Sequence, residues 1–355
     1  MLKNKKIVIA LSIIPQYLIV KLLSHYPNFV ETYYSNGLYH FTSKAMRYVF
    51  GWIPFSIGDL LYTFAGIYII RWLILNRKRI IKDTKGWFID VFSAISILYF
   101  AFHIFWGMNY YRLPVHKSLN IDNKYTTEEL IAVTKKLIEK SNAIHLSINK
   151  NDSLKIEIPY SKQELLRKAT NGYKLLAKKF PSLTYNPSST KLSIYSLPLT
   201  YMGFSGYLNP FTNEAQIDGL IPLYKYPTTA CHEQAHQIGY AAENETNFIG
   251  FLAAIHNENI YFKYSGHVFA LSHCLREVYR RDKDMYKSLI DSVNKGILAN
   301  YQESYDFWEA YQNPLEPMFK LTYSKFLKAN NQDKGIESYS YAVALIVNYL
   351  KDRTL

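Results

Sequence analysis

The chain has 355 residues, 49% of them apolar, with 32 Tyr, 20 Phe and 5 Trp and a formal net charge of +13. That is enough for one large domain or two ordinary ones. The charge comes without zinc-finger spacing, a Gly-rich aromatic sheet motif or an Arg-rich tail, so no nucleic-acid partner is expected and the lysines read as solvated surface. The two cysteines, Cys231 and Cys274, are too few for a disulfide scaffold and are expected as buried thiols.

Three apolar stretches come first, at 7–23, 57–75 and 88–106. Each approaches the ~20 residues that cross a bilayer core about 30 Å thick. Asp59, Arg71 and Asp90 lie near their ends, where polar groups reach the interface. Lys3, Lys5 and Lys6 give the first stretch the basic start of a signal peptide, but no small-residue cleavage site follows, so it reads as a retained anchor. Those lysines, and Arg77, Lys78, Arg79, Lys82 and Lys85 between the second and third stretches, place the basic loops in the cytoplasm. Residues 1–110 are therefore expected as a membrane anchor of three helices, and 111–355 as an extracytoplasmic domain.

Within that domain, Thr126…Glu129 and Ser161…Glu164 are capping boxes ahead of helical runs. Their lysines at 135, 136, 140, 168, 174, 178 and 179 are expected on a solvated face. KLSIYS (191–196) alternates like a strand, and EAQID (214–218) reads as another after a Gly/Pro-rich link. Beyond Pro227 the period is helical almost throughout. The expected class is α+β, mostly helical, with a small sheet.

The chemistry concentrates in CHEQAHQIGYAAENETNF (231–248). His232 and His236 at i and i+4 share a helix face and can reach one ion, and Glu233 can address a bound water; this is the mechanical content of HExxH. A third ligand is needed. On one continuous helix Glu243 would sit roughly 10 Å along the axis from His236, so the chain must turn back, and Gly239 is where it can. A second helix from near Ala242 then puts Glu243 and Asn247 on one face and Glu245 elsewhere.

Glu243-x-x-Thr-Asn247 resembles the ExxAD helix of gluzincin metallopeptidases, whose first glutamate binds zinc and whose acidic residue orients a histidine. Here Thr246 stands for alanine and neutral Asn247 for aspartate. The interval from the second histidine is also shorter than in gluzincins. The glycine spacing is similar to metzincins, which have histidine where Ala242 stands. The zinc ligands are therefore expected as His232, His236 and Glu243, with Glu245 the alternative third. More widely, PFSIGDLLY (54–62), FWGMNYYR (105–112), GYLNPFTNEA (206–215), YFKYSGH (261–267) and YSKFLKANNQDKGIESYS (323–340) resemble an uncharacterised bacterial family with a membrane anchor and a zincin-like domain of unknown function. The resemblance implies that architecture, in the bacterial inner membrane.

The function expected is a zinc metallopeptidase with Glu233 as general base and a peptide or protein substrate. EAQID would be the sheet edge along which the substrate lies. Tyr264 would stabilise the oxyanion, with His267 next. His256 and His273 read as ordinary polar residues, and Asn209, Thr212 and Glu214 as shaping a turn. A non-proteolytic zinc scaffold or sensor, and a metal-dependent amidase acting on envelope material, are the competing classes. No P-loop, Rossmann fingerprint or GxSxG elbow suggests another enzyme.

Overall fold

The computed structural model describes residues 2–332 and 341–353. Residues 333–340, the end of the last stretch compared above, lie outside them. Among the described residues three helical segments are long and apolar enough to cross a membrane: Lys5–Leu23, Ile57–Asn76 and Thr84–Phe105. The first is two helices, α1 (Leu2–Leu11) and α2 (Ile13–Leu23), interrupted at Ser12. Its hydroxyl turns back to the Ile9 carbonyl, 2.7 Å, and lies 3.0 Å from the Ser96 hydroxyl. The amide of Gln16 reaches the same Ser96 at 3.1 Å, the kind of polar contact that joins helices in an apolar surrounding. At one end of this bundle Asp90 pairs with both Lys6 (2.5 Å) and Arg79 (2.9 Å). Elsewhere the outer faces are bare: Ile70 is 61% and Leu98 55% exposed. Water would penalise such faces and hydrocarbon would not, which points to membrane association.

Between the first and second segments a π-helical stretch, Val30–Leu38, runs into α3 (Tyr39–Phe50). Hydropathy groups this connection with the anchor. Its packing joins it to the domain, because its buried polar groups find their partners there. Tyr39 donates to the Gln237 carbonyl (3.0 Å), and buried Arg47 donates to that carbonyl (2.8 Å) and to Asn213 Oδ1 (2.9 Å). The apolar helices are α4 (Ile57–Asn76) and α5 (Thr84–Phe105).

Beyond them α6 (Thr127–Asn149) and α7 (Lys162–Lys179) each open on the capping box that the sequence displays. Their lysines 135, 174, 178 and 179 are exposed, as a solvated face requires. A sheet of β1 (Thr190–Leu192), β2 (Gly206–Asn209) and β3 (Glu214–Ile217) has the order β1-β3-β2, with β1 parallel and β2 antiparallel to β3. The EAQID strand is thus central and buried, not the edge expected above; β2 is an edge. KLSIYS forms strand only to Leu192. Ser193 turns instead to Asp59 (2.9 Å), and α8 (Ser196–Met202) follows. The remaining helices used below are α9 (Tyr226–Gln237), α10 (Glu243–His256), α11 (Ile260–Arg281), α12 (Lys295–Ala310), α13 (Glu316–Ala329) and α14 (Tyr341–Leu350). The main core lies among α6, α7, α9, α10, α11 and α14, and holds both cysteines, buried and unbridged.

A polar seam joins the sheet to α4. The fully buried Glu214 carboxylate accepts from the Ile57 and Gly58 amides (3.2 and 2.5 Å), so it sits on the positive end of that helix. It also pairs with buried Lys191 at 2.6 Å. Asn209 shapes the β2–β3 turn, accepting from the Phe211 and Thr212 amides. Glu214→Ala would strand the Lys191 charge, a loss of about 3–5 kcal/mol. It should lower the unfolding temperature of the detergent-solubilised full chain, whereas Asp284→Ala, in the exposed pair with Lys287, should leave it unchanged.

Candidate metal centre

Helix α9 opens with Pro227 at its start and buries Ala230, Cys231 and Ala235, which fixes its rotation. His232 and His236 then share the opposite side, their ring centroids 4.9 Å apart. The helix ends at Gln237, and Gly239 has φ +91°, a left-handed turn that glycine adopts without cost. An added Cβ there would also meet the Tyr39 ring at 3.0 Å. Helix α10 begins at Glu243, as the spacing predicts, and lays it against both histidines. Its oxygens stand 3.4 Å from His232 Nε2 and 3.7 Å from His236 Nε2. Close approach of the two helices rests on Gly250, where a Cβ would lie 2.9 Å from the His232 backbone. The sequence carries that glycine two turns after Glu243, a signal the motif-based reading left unused.

The ligand atoms of His232, His236 and Glu243 lie within 4.8 Å of one another. Tetrahedral zinc with bonds near 2.1 Å holds its ligand atoms roughly 3.4 Å apart, so the cluster has the right dimensions. Its outer contacts orient the rings. His236 Nδ1 faces the Tyr240 carbonyl at 2.8 Å, so the proton sits on Nδ1 and the Nε2 lone pair faces the cluster. Asn247 lines the same cleft as His232, and its neutral side chain favours the charged imidazole only weakly.

Burial opposes charge throughout the site. It pushes His236 down to about 4. It also works against Glu243, but the two imidazoles and the hydroxyl of Tyr323 outweigh it and hold that carboxyl down at about 2. Glu233, with burial dominant and Glu243 nearby, is pushed up to about 8. One oxygen of Glu233, Oε2, is buried with no hydrogen-bond partner among the described residues. The other lies 2.7 Å from where a Cβ would stand on Gly206, so edge strand β2 passes directly over it. These groups line a cleft of about 1630 Å³ whose walls include Gly206, Tyr207 and Leu208 of β2, Trp106 and Tyr110.

Two expected residues are elsewhere. Tyr264 is fully buried in α11 and donates to Asn300 Oδ1 at 2.7 Å; it does not line the cleft, because its helix face belongs to the core. His267, buried on the same helix, bonds back to the Lys263 carbonyl. The hydroxyl that reaches the cluster is that of Tyr323 on α13, which only the folded chain brings near. Glu245 is also occupied, accepting from the Val115 amide at 2.7 Å, so Glu243 alone of the two faces the histidines.

Over residues 34–347 the chain matches the family described as Protein of unknown function (DUF3810), and it belongs to that family. No curated protein and no solved structure matches it.

Burial pushes Glu245 from 4.5 up to about 7, against the Val115 amide and the nearby Arg112 charge. The folded state thus holds its proton longer than the unfolded chain. That contribution is complete below pH 4.5 and is lost as pH rises through about 7. Glu245→Gln should remove this loss: thermal unfolding followed from pH 5 to pH 8 should show the wild type falling relative to the variant.

Proposed function

We propose that this member of a family of unknown function is a zincin-like metallopeptidase that holds zinc through His232, His236 and Glu243. The observation that carries the reading is the cluster's composition and spacing beside the orphaned, buried Glu233 oxygen. A scaffold that only binds metal has no use for a glutamate beside its first ligand. Bound there, zinc would supply a Lewis acid for the peptide carbonyl and lower the pKa of its water. Glu233 would accept a proton from the attacking water as the water oxygen bonds to the carbonyl carbon, and would return it to the amine nitrogen as the C–N bond breaks. Strand β2 offers unpaired backbone along the cleft, so an extended peptide adds to the sheet there, close to Glu233. Gly206 keeps this wall narrow. The Tyr323 hydroxyl takes the oxyanion-stabilising role first assigned to Tyr264.

The placement proposed is the bacterial inner membrane, with three crossings and the cleft outside the cytoplasm. Supporting it, the 24–56 connection packs with the residues after α5, while the basic 77–85 link and Lys6 meet at the far end of the apolar helices.

Elemental analysis of the full chain in detergent should find about one zinc per molecule, lost in His232→Ala. Glu233→Gln should keep the metal and lose peptide turnover by roughly 10²–10⁴-fold. Undiminished turnover in that variant would remove the mechanism. Asn247→Ala should weaken zinc by about 10–100-fold, measured by competition with a chelating dye.

A further inference from the structure

Helix α4 has 20 residues and so a length of about 30 Å, the thickness of a hydrocarbon core. With Ile57 set at one boundary of that core, Thr63 lies about 9 Å further in. The hydroxyl of Thr63 bonds to that of Tyr195, the residue just before α8. Asp59, one turn nearer the boundary, accepts from the Ile194 amide at 2.8 Å. The residues that lead directly into α8 are thus fixed beside the first turns of α4.

A second set of contacts joins the corresponding end of α5. Phe102 lies about 5 Å inside the end of α5 at Phe105. Its ring packs 6.1 Å from that of Phe326 on α13. Helices α8 and α13 are joined, the Asn313 amide donating to the Tyr201 carbonyl at 2.7 Å. Both turn apolar side chains outward, Leu197 on α8 at 51% exposed and Met318 on α13 at 53%, with Leu321 beside the latter. Further along the same face of α13 come Lys325 and Lys328, exposed and able to reach headgroup phosphates. The inner sides of both elements, Leu199 and Met202 on one and Tyr323 and Phe326 on the other, are walls of the metal cleft, as are Tyr62 and Phe102 of the apolar helices.

We infer that the α8–α13 face is set into the boundary of the bilayer that α4 and α5 cross, and that the cleft takes its polypeptide from the membrane surface. The inference rests on the membrane placement and peptidase reading proposed above, and it adds the substrate class: chains anchored in, or emerging from, the lipid. Chains free in solution would reach the cleft poorly, because its walls on this side are faced with lipid.

Nitroxide labels at Leu197→Cys and Met318→Cys test it, in the full chain reconstituted into phosphatidylcholine–phosphatidylglycerol vesicles. The buried native cysteines stay unlabelled. Ile67→Cys, midway along α4, and Lys174→Cys, on the exposed face of α7, are the references. The ratio of collisions with oxygen to collisions with an aqueous nickel chelate should be several-fold higher at 197 and 318 than at 174, approaching that at 67. A ratio like that at 174, with 67 still lipid-like, overturns the inference and leaves the spans intact. Protection from both reagents also overturns it, placing a second copy or another protein on the face. A water-accessible 67 removes the membrane placement itself. A vesicle-anchored peptide library should be cut several-fold faster than the same library in solution, with the preference lost in Leu197→Glu. Equal cutting of the two overturns the route.

Discussion

The carbonyl groups left at the end of α9 are the constraint on which the site depends. A helix closes with carbonyls that have no partner within it, and the chain here must also reverse within a few residues to bring Glu243 back. Those carbonyls are met by side chains from the membrane-proximal part of the chain. Tyr39 and Arg47 donate to Gln237, the Trp106 indole to His236 at 3.4 Å, and Arg112 to Gly239 at 2.8 Å. Two of the donors are cations, the sign that a helix C-terminus favours. The turn that brings Glu243 back to the two histidines is thereby clamped from outside the segment that contains it.

Much of this was legible in the sequence, for local reasons. Twenty apolar residues in a row, a threonine three before a glutamate, or two histidines four apart each state a geometry within one element. The return of Glu243 to the histidines was legible because helix rise forbids Glu243 from reaching His236 without a turn, and Gly239 supplies one. What could not be read were pairings across long sequence distances. Nothing in YSKFLK says that Tyr323 reaches Glu243, while Tyr264 drew attention only through its neighbourhood in the sequence. EAQID was recognised as strand but placed at the edge, since strand order is set by crossovers that leave no periodic mark. The 24–56 connection was assigned to the anchor because hydropathy does not register where Arg47 and Tyr39 donate.

The site and the apolar helices are thus parts of one folded unit. Asp59, at the start of α4, holds Ser193 and the Tyr207 hydroxyl, the latter on the strand that roofs Glu233. Glu214, on the strand beside it, holds the first amides of the same helix. Buried carboxylates of this kind are costly unless every oxygen is engaged, and here the engagement is what fixes β2 relative to α4.

The Glu214 seam has a mechanical consequence. A helix of about 30 Å adjusts to a thicker or thinner bilayer by changing its tilt. In α4 such a rotation pulls directly on the carboxylate of β3, and β3 carries β2 with it through the ladder. On the membrane placement proposed above, the hydrophobic thickness of the surrounding lipid would thus bear on the strand above Glu233 through Glu214.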